Sequence, residues 1–227
     1  MITDSPLRTS QPLLSRLSRR SLTEDATARL RRAIVAGELA AGAPLPEDGL
    51  AVRLGISRAP IREALVELEQ EGLVAFDHRG RSRVRDFSED DFEAVFSMRC
   101  TLEVMAARLV VQRMTDADVK ELEAIIAKQE SAKDLTELSL LDVAFHDRII
   151  KAARHQPLAV CWKTIRSQIE VWLARAHRSQ ARRHLSSINL TVPGHRRLLD
   201  DLRSGSERKA EAGMRLEMAT WREWLPV

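Results

Sequence analysis

The chain has 227 residues, of which 44% are hydrophobic and 30% are charged. This length suits two domains of ordinary size with real hydrophobic cores, and no apolar run is long enough to cross a membrane. The net charge is only +3, so total charge does not indicate a nucleic-acid-binding protein and any basic surface must be local. Two cysteines give no disulfide framework, and the N-terminus lacks an apolar signal core, so we expect a cytoplasmic protein.

Residues 1–20 predict a flexible basic arm, because they are rich in serine, proline and arginine. Such an arm can touch a DNA phosphate or the minor groove, but the composition favours an ordinary frayed terminus. Thr23 is then expected to cap a first helix that ends at Gly37. The expected inward face of this helix is Ala26, Leu30, Ala33 and Ile34.

Residues 45–85 have the pattern of a helix-turn-helix followed by a β-hairpin. A short helix with Leu50, Ala51 and Leu54 on one face is broken by Gly55, and Ser57 is a good N-cap for the next helix. That second helix places four apolar residues at helical spacing before Gly72, namely Ile61, Ala64, Leu65 and Leu68. An apolar run at 73–76, a turn at 78–80 and a return strand through 84 complete a winged helix-turn-helix, which we place at residues 21–86.

The second helix and the hairpin carry the residues that a DNA reader needs. Arg58 and Arg62 stand four apart near the helix N-terminus, where a recognition helix presents side chains to base edges. Ser57 and the helix N-terminus suit a phosphate. At the hairpin tip, Arg79 and Gly80 suit a close approach to the phosphate backbone. The sequence therefore predicts binding to double-stranded DNA through these five residues.

A solvent-exposed helix is the alternative interpretation of the two arginines. In that case Arg58 and Arg62 only form ion pairs with Glu63 or Glu67 on the same helix. The flanking helix, turn and hairpin favour the DNA interpretation.

The remainder of the chain, residues 87–227, predicts an all-α domain, because no strand-like alternation follows the hairpin. Ser88 with Asp91 forms a capping box for a long helix, and Thr115 caps the next one. Further amphipathic stretches are expected at 134–153, 157–179, 194–204 and 207–224, with a loop at 186–194. The whole chain is therefore mainly α, a winged helix-turn-helix followed by a helical bundle.

Four residues of the helical domain are candidate metal ligands. Asp142 and His146 are four apart on one helix face, His195 is expected to open a later helix, and Glu217 lies on the last helix. Each has a simpler explanation. Asp142 can pair with Arg148 or Lys151, His146 can be a core imidazole, His195 can complement a nearby carboxylate, and Glu217 can be a surface charge beside Arg215.

Three segments resemble the GntR family of bacterial repressors: GELAAGAPLPEDGLA, LGISRAPIREAL and LEQEGLV. A winged helix followed by a helical domain is similar to the FadR subfamily of that family. The resemblance implies a homodimeric repressor that binds a palindromic operator. The chain departs from the pattern at Asp48, near which some members carry a DNA-contacting arginine, so we assign no contact to it.

The resemblance also implies a divalent metal inside the helical domain, as in many FadR-type members. LDVAFHDRI matches the motif that supplies Asp142 and His146, and GHRRLLDDL matches the helix that supplies His195. The position of the fourth ligand, a histidine in the family, is occupied here by Glu217. A carboxylate there favours oxygen-loving ions over zinc but still permits zinc, manganese or nickel.

Arg99 precedes Glu103 by four residues and matches a family R-x-x-x-E pattern. It is either a surface ion pair or a clamp for the carboxylate of a small organic acid effector.

Two other functions are compatible with these residues. A purely structural metal without an effector would stabilise the fold and leave operator binding unchanged. A metal-dependent hydrolase fused to a DNA-binding module would need an open metal position and a nearby base, and the sequence shows no such base. We therefore expect a regulator and not an enzyme.

Overall fold

A computed structural model of the chain describes residues 18–224, with side chains described for residues 22–223. The predicted basic arm lies outside the described residues up to residue 17. Within the described range, no helix combines the length and the apolar composition needed to span a membrane. The elements are α1 (Ser18–Ala36), α2 (Glu47–Leu54), α3 (Arg58–Gln70), β1 (Val74–Phe76), β2 (Ser82–Val84), α4 (Glu89–Arg113), α5 (Asp116–Glu130), α6 (Leu135–Ala152), α7 (Gln156–Arg182), α8 (Ser187–Arg203) and α9 (Glu207–Trp224).

The first three helices and the hairpin form the predicted winged helix-turn-helix. β1 and β2 are antiparallel, and Val74 pairs with Val84 while Phe76 pairs with Ser82. Gly55 ends α2 with a positive φ of 68°, which a residue without a side chain adopts at little cost. The apolar residues predicted for α3 are all buried, namely Ile61, Ala64, Leu65 and Leu68.

Of the two caps predicted in this domain, the one at Thr23 is wrong and the one at Ser57 is confirmed in position only. α1 begins at Ser18, so Thr23 lies inside the helix instead of capping it, and its hydroxyl donates to Glu63 Oε2 of α3 over 2.8 Å. Ser57 does occupy the N-cap position of α3, but its side chain makes no capping bond. The first turn of α3 therefore leaves backbone N–H groups that its cap does not satisfy.

Helices α4 to α9 form the all-α bundle, in which α6 packs against α4, α5 and α7. The capping box predicted at Ser88 and the cap predicted at Thr115 are both present, and Thr115 also forms a capping box; Asp91 and Asp118 are the N3 residues of the two boxes. They fix the starts of α4 and α5, and these helices flank the one that carries Asp142 and His146.

The predicted loop at 186–194 is wrong, because α8 begins at Ser187 and continues through Pro193. Ser186 caps it, since its hydroxyl accepts a bond from the amide of Asn189 over 3.4 Å. Proline removes a backbone donor and usually ends a helix. Here burial of Thr191 and Val192 in the bundle holds the turn around the proline. His195 consequently lies in the middle of a helix and not at its start.

A buried ionic cluster joins the start of α5 to the end of α6. The Asp118 carboxylate contacts Arg148, accepts a 2.7 Å bond from Arg154, and accepts bonds from the backbone and hydroxyl of Thr115. Burial alone raises the pKa of Asp118, but these hydrogen bonds and the Arg148 charge outweigh it and hold the pKa well below its usual range.

We expect Asp118→Asn to lower the free energy of unfolding by about 3 kcal/mol, because Arg148 and Arg154 would lose their shared buried carboxylate and Arg148 would keep only the exposed Glu121 as a charge partner. Because the pKa of Asp118 is lower in the folded chain than in the unfolded chain, the unfolded chain takes up the proton first as the pH falls. The contribution of Asp118 to the free energy of unfolding is therefore fully present above about pH 4 and is lost progressively below it. Chemical denaturation between pH 7 and pH 3 measures both effects. The variant should lose less stability over this range than the parent.

Glu121→Gln is the matched control, because Glu121 contacts the same Arg148 over 2.6 Å from an exposed position. An exposed ion pair contributes about 0–1 kcal/mol. Equal stability losses in the two variants would contradict the central place of Asp118.

Candidate functional site

A groove of about 480 Å³ lies between α3 and the hairpin. Arg58 and Arg62 line it from the helix side, and Arg79, Gly80 and Arg81 line it from the hairpin side. The structure thus brings the arginines predicted to bind DNA to one surface. Ser57 lies next to this surface at the start of α3.

The acidic residues around α3 do not pair as the alternative interpretation supposes. Glu63 and Glu67 accept hydrogen bonds from Thr23 and Thr27 of α1. Arg58 instead contacts residues of α2, since its Nε lies 3.0 Å from Asp48 Oδ1. These contacts hold Arg58 at the mouth of the groove in the absence of DNA.

A second candidate site lies inside the helical bundle, where α6 and α8 bring together Asp142, His146 and His195. One candidate ligand atom from each residue lies within 4.8 Å of the other two. Asp142 Oδ1 is 3.5 Å from His146 Nε2 and 3.8 Å from His195 Nε2. All three side chains are buried.

The outer nitrogens of both imidazoles are occupied by neighbouring acceptors. His146 Nδ1 bonds to the Glu103 carboxylate, and His195 Nδ1 lies 3.0 Å from Gln129 Oε1. Each Nδ1 carries the ring proton in these contacts. The free lone pair is therefore on Nε2, and this atom faces Asp142. Phe145 stacks on the His195 ring with 4.0 Å between centroids and fixes the plane of that ring.

The donor set fits a divalent cation. His195 Nε2 is buried and has no hydrogen-bond partner among the described residues. Burial lowers the pKa of His195 to about 3, so the imidazole is neutral at physiological pH, as a metal ligand must be. Burial alone raises the pKa of Asp142, but His177 and the neighbouring imidazoles hold it well below its usual range and keep the carboxylate charged.

Glu217 is buried at the edge of this cluster. Its Oε1 lies 3.8 Å from His195 Nε2, and burial raises the pKa of Glu217 to about 7. The surface-charge explanation is wrong, because the side chain is only 7% exposed and Arg215 bonds to Glu211 instead. Gly194 makes room for it, since a methyl group there would lie 2.7 Å from Glu217 Oε2.

Arg99 is 1% exposed, so the surface ion-pair explanation is wrong. Its Nε bonds to Glu103 Oε1 over 2.6 Å, and its guanidinium lies over the Trp221 ring at 4.4 Å. Its Nη1 is buried and has no partner within the described part of the chain. Arg99 therefore connects to His146 through Glu103 and keeps one donor free.

Sequence reasoning missed His177, which lies on α7 with its Nε2 3.5 Å from Asp142 Oδ2. It is fully buried, and its Nδ1 is 2.8 Å from the Ser139 hydroxyl. The signal for it was periodicity, because Leu173, His177 and Gln180 share one buried helix face. Glu103 and Gln129, which orient the two candidate ligand imidazoles, likewise had no motif to mark them as part of this cluster.

We expect Gly194→Ala to displace the Glu217 carboxylate from His195 and to weaken binding of Mn²⁺ by about tenfold or more. Isothermal titration with Mn²⁺ measures the affinity. Gly213→Ala is the matched control, since a methyl group there meets Asp201 Oδ2 at 2.4 Å, also between α8 and α9. It should cost similar stability and leave the affinity unchanged. An unaltered affinity in Gly194→Ala would remove Glu217 from the site.

Two family profiles match most of the chain. The profile described as bacterial regulatory proteins, gntR family, matches residues 22–84, which hold the winged helix-turn-helix. The profile of the FCD domain matches residues 94–219, which hold nearly the whole helical bundle. The second match alone covers more than half of the chain.

Characterised relatives match over most of their length. The chain is 25% identical to the gluconate operon transcriptional repressor of Bacillus licheniformis, over 79% of this chain and 74% of the relative. It is 27% identical to the probable D-xylose utilization operon transcriptional repressor of Paenarthrobacter nicotinovorans, over 91% of this chain and 89% of the relative. Both relatives are named as transcriptional repressors.

Solved structures share the fold. McbR/YncC of E. coli superposes with a TM-score of 0.73 at 21% identity, covering 87% of this chain and 93% of that one. A putative GntR regulator from Rhodococcus sp. RHA1 gives 0.71 at 18% identity, covering 90% and 97%. The order of winged helix and helical bundle is the same order that the two profiles give, and it is consistent with the FadR subfamily. The chain therefore belongs to the GntR family and is a DNA-binding transcription regulator with an FCD domain, not an enzyme.

Proposed function

We propose that this regulator represses transcription as a homodimer and that a small organic acid, bound at a divalent cation in the FCD domain, modulates its binding to the operator. The observation that carries the proposal is a pair of buried polar atoms left without partners within the described residues, the lone-pair nitrogen His195 Nε2 and the hydrogen-bond donor Arg99 Nη1. Such atoms are costly to bury unless a ligand meets them. Both relatives described above are named as repressors, which supports repression over activation.

The proposed cation is coordinated by four side chains, those of Asp142, His146, His195 and Glu217. Two carboxylates and two imidazoles are a mixed donor set, and the second carboxylate favours a harder ion such as Mn²⁺ over Zn²⁺ or Ni²⁺. A divalent charge would also offset the repulsion that contributes to the raised pKa of Glu217.

Arg99 is the proposed contact for the effector carboxylate. The guanidinium is held by Glu103 on one side and by the Trp221 ring on the other, so its remaining donor has a fixed direction. A planar guanidinium binds a carboxylate with good geometric specificity. Metal and arginine together would select a small organic acid over a neutral ligand.

DNA is the proposed ligand of the groove between α3 and the hairpin. Arg58 and Arg62 would contact base edges or phosphates from α3, while Ser57, Arg79 and Gly80 would meet the backbone. Two copies related by a two-fold axis would read a palindromic operator. The dimer would exist in one geometry that fits the operator and another that does not. The effector can change operator affinity only as far as its own affinity differs between these two geometries.

A structural metal without any effector is the alternative. It predicts that Mn²⁺ raises the melting temperature while operator affinity is the same with metal, with chelator and with every organic acid tested. Thermal shift and DNA binding measured on the same samples separate the two functions.

We expect Arg62→Ala to weaken operator binding by about 1–3 kcal/mol, because one base or phosphate contact is lost. Arg62 is exposed, so the melting temperature should not change. Fluorescence anisotropy with a duplex recovered by in vitro selection measures the affinity. Footprinting of the parent should show two symmetric half-sites, and a single asymmetric half-site would contradict the dimer.

Arg53→Ala is the control for Arg62→Ala, since Arg53 is an exposed arginine of α2 that does not line the groove. It removes the same charge from the same domain. Equal affinity losses in both variants would indicate a general charge effect and would remove the assignment of α3 as the recognition helix.

We expect protein purified without chelator to hold about one divalent ion per chain, and His146→Ala to lose it, because a structural ion orders several ligands at once. Glu217→His should keep the site and shift its preference from Mn²⁺ towards Zn²⁺. Elemental analysis and competitive titration measure these outcomes. Equal, sub-stoichiometric metal in the parent and in His146→Ala would mean that no metal site exists.

A further inference from the structure

Helix α7 contacts both the candidate metal site and the DNA-binding domain. One of its faces is buried in the bundle and carries His177 beside Asp142. Another face lies against the winged helix, where α7 packs on α1. A change at the metal site that moves α7 therefore reaches the DNA-binding domain without crossing another element.

Two direct hydrogen bonds attach α7 to the DNA-binding domain. The Ser167 hydroxyl donates to Glu71 Oε2 over 2.7 Å at the end of α3, and Arg178 Nη1 donates to the Val35 carbonyl over 2.7 Å in the last turn of α1. A guanidinium at that place satisfies an end carbonyl and complements the helix dipole. The attachments lie about 16 Å apart along α7, at 1.5 Å per residue.

The contact between the end of α3 and α7 is close. Gly72 follows α3 with a positive φ of 73°, and a methyl group added there would lie 2.6 Å from Gln168 Nε2. The Glu71 carboxylate is shared between Ser167 and Arg31 of α1, whose Nε lies 2.8 Å away. The C-terminal ends of α1 and α3 are thus both attached to α7.

His177 connects α7 to the candidate metal site through Asp142. The carboxylate presents Oδ1 to His146 and His195, while its Oδ2 faces His177 Nε2 at 3.5 Å. A carboxylate can only accept a hydrogen bond, so His177 Nε2 is the donor in this contact. The Ser139 hydroxyl lies 2.8 Å from Nδ1 and donates its own proton to the Leu135 carbonyl over 2.7 Å. His177 faces Oδ2, whereas His146 and His195 face Oδ1, so His177 contacts the carboxylate on the oxygen that the two candidate ligand imidazoles do not share.

We infer that His177 is a positioning residue that couples the cation site to the DNA-binding domain through α7. Asp142, His146 and His195 would hold the cation, and a carboxylate held on its Oδ1 side would keep a fixed rotation and so a fixed contact between Oδ2 and His177. The next residue is Arg178, so the same turn of α7 then holds the end of α1. This inference rests on the cation of the proposed function.

The test uses hydrogen–deuterium exchange of the full chain, with and without saturating MnCl₂, read on peptides from residues 30–42. Metal should slow exchange there by about fivefold or more in the parent, a coupling of ordinary size. His177→Gln should respond as the parent does, because its amide nitrogen replaces Nε2. His177→Asn replaces Nδ1 and keeps the Ser139 contact, so it should bind Mn²⁺ about tenfold more weakly and lose the response.

Arg178→Ala tests the other end of the coupling. It should bind Mn²⁺ with parental affinity by calorimetry and lose the response at residues 30–42. Arg182→Ala is its control, because Arg182 is an exposed arginine one turn further along α7, and it should respond as the parent does. A retained response in His177→Asn or Arg178→Ala overturns the inference, as does a lost response in His177→Gln.

Calorimetry separates the two proposals. A parent that binds no Mn²⁺ overturns the metal site and the coupling together. A parent that binds Mn²⁺ and shows the exchange response, but whose operator affinity does not change with metal and organic acid, supports the coupling and contradicts the proposed regulation.

Discussion

The bundle depends on one electrostatic constraint, the burial of a charged Asp142 among imidazoles. An unpaired carboxylate in this interior would be too costly. His177 Nε2 lies 3.5 Å from Asp142 Oδ2 and stabilises the charge, whereas the Nε2 lone pairs of His146 and His195 face Oδ1 and would need a cation between them to be favourable. Ser139, Glu103 and Gln129 each occupy the outer nitrogen of one histidine. The inner nitrogens therefore face Asp142, and helices α4 to α8 must hold the positions that allow it.

Gly194 and Glu217 together add a second carboxylate to the edge of this cluster. The carboxylate of Glu217 fills the space next to the α8 backbone that a side chain at position 194 would occupy. The two residues are therefore coupled by volume as well as by charge. A histidine at 217 has a rigid planar ring in place of the flexible glutamate chain, so the same pocket would position it differently.

The sequence predicted most elements because their signals are local. Capping boxes at Ser88 and Thr115 and the i, i+4 spacing of Asp142 and His146 can be recognised within one turn. The start of α8 was wrong because burial of Thr191 and Val192 overrides the proline signal. His177 was missed for a similar reason, since its meaning comes from Asp142 on another helix and not from its own neighbours.

At the candidate DNA-binding groove, the basic charge is partly balanced by a neighbouring acidic residue. Arg58 is paired with Asp48 at the groove mouth, so part of its positive charge is neutralised before DNA arrives. Both side chains are largely exposed, and an exposed pair of this kind contributes little stability. A phosphate can therefore replace Asp48 at little cost, while the acidic residue opposes nonspecific attraction to anions. Selectivity for an operator would then depend on contacts beyond charge, made by α3 in an orientation that α7 fixes.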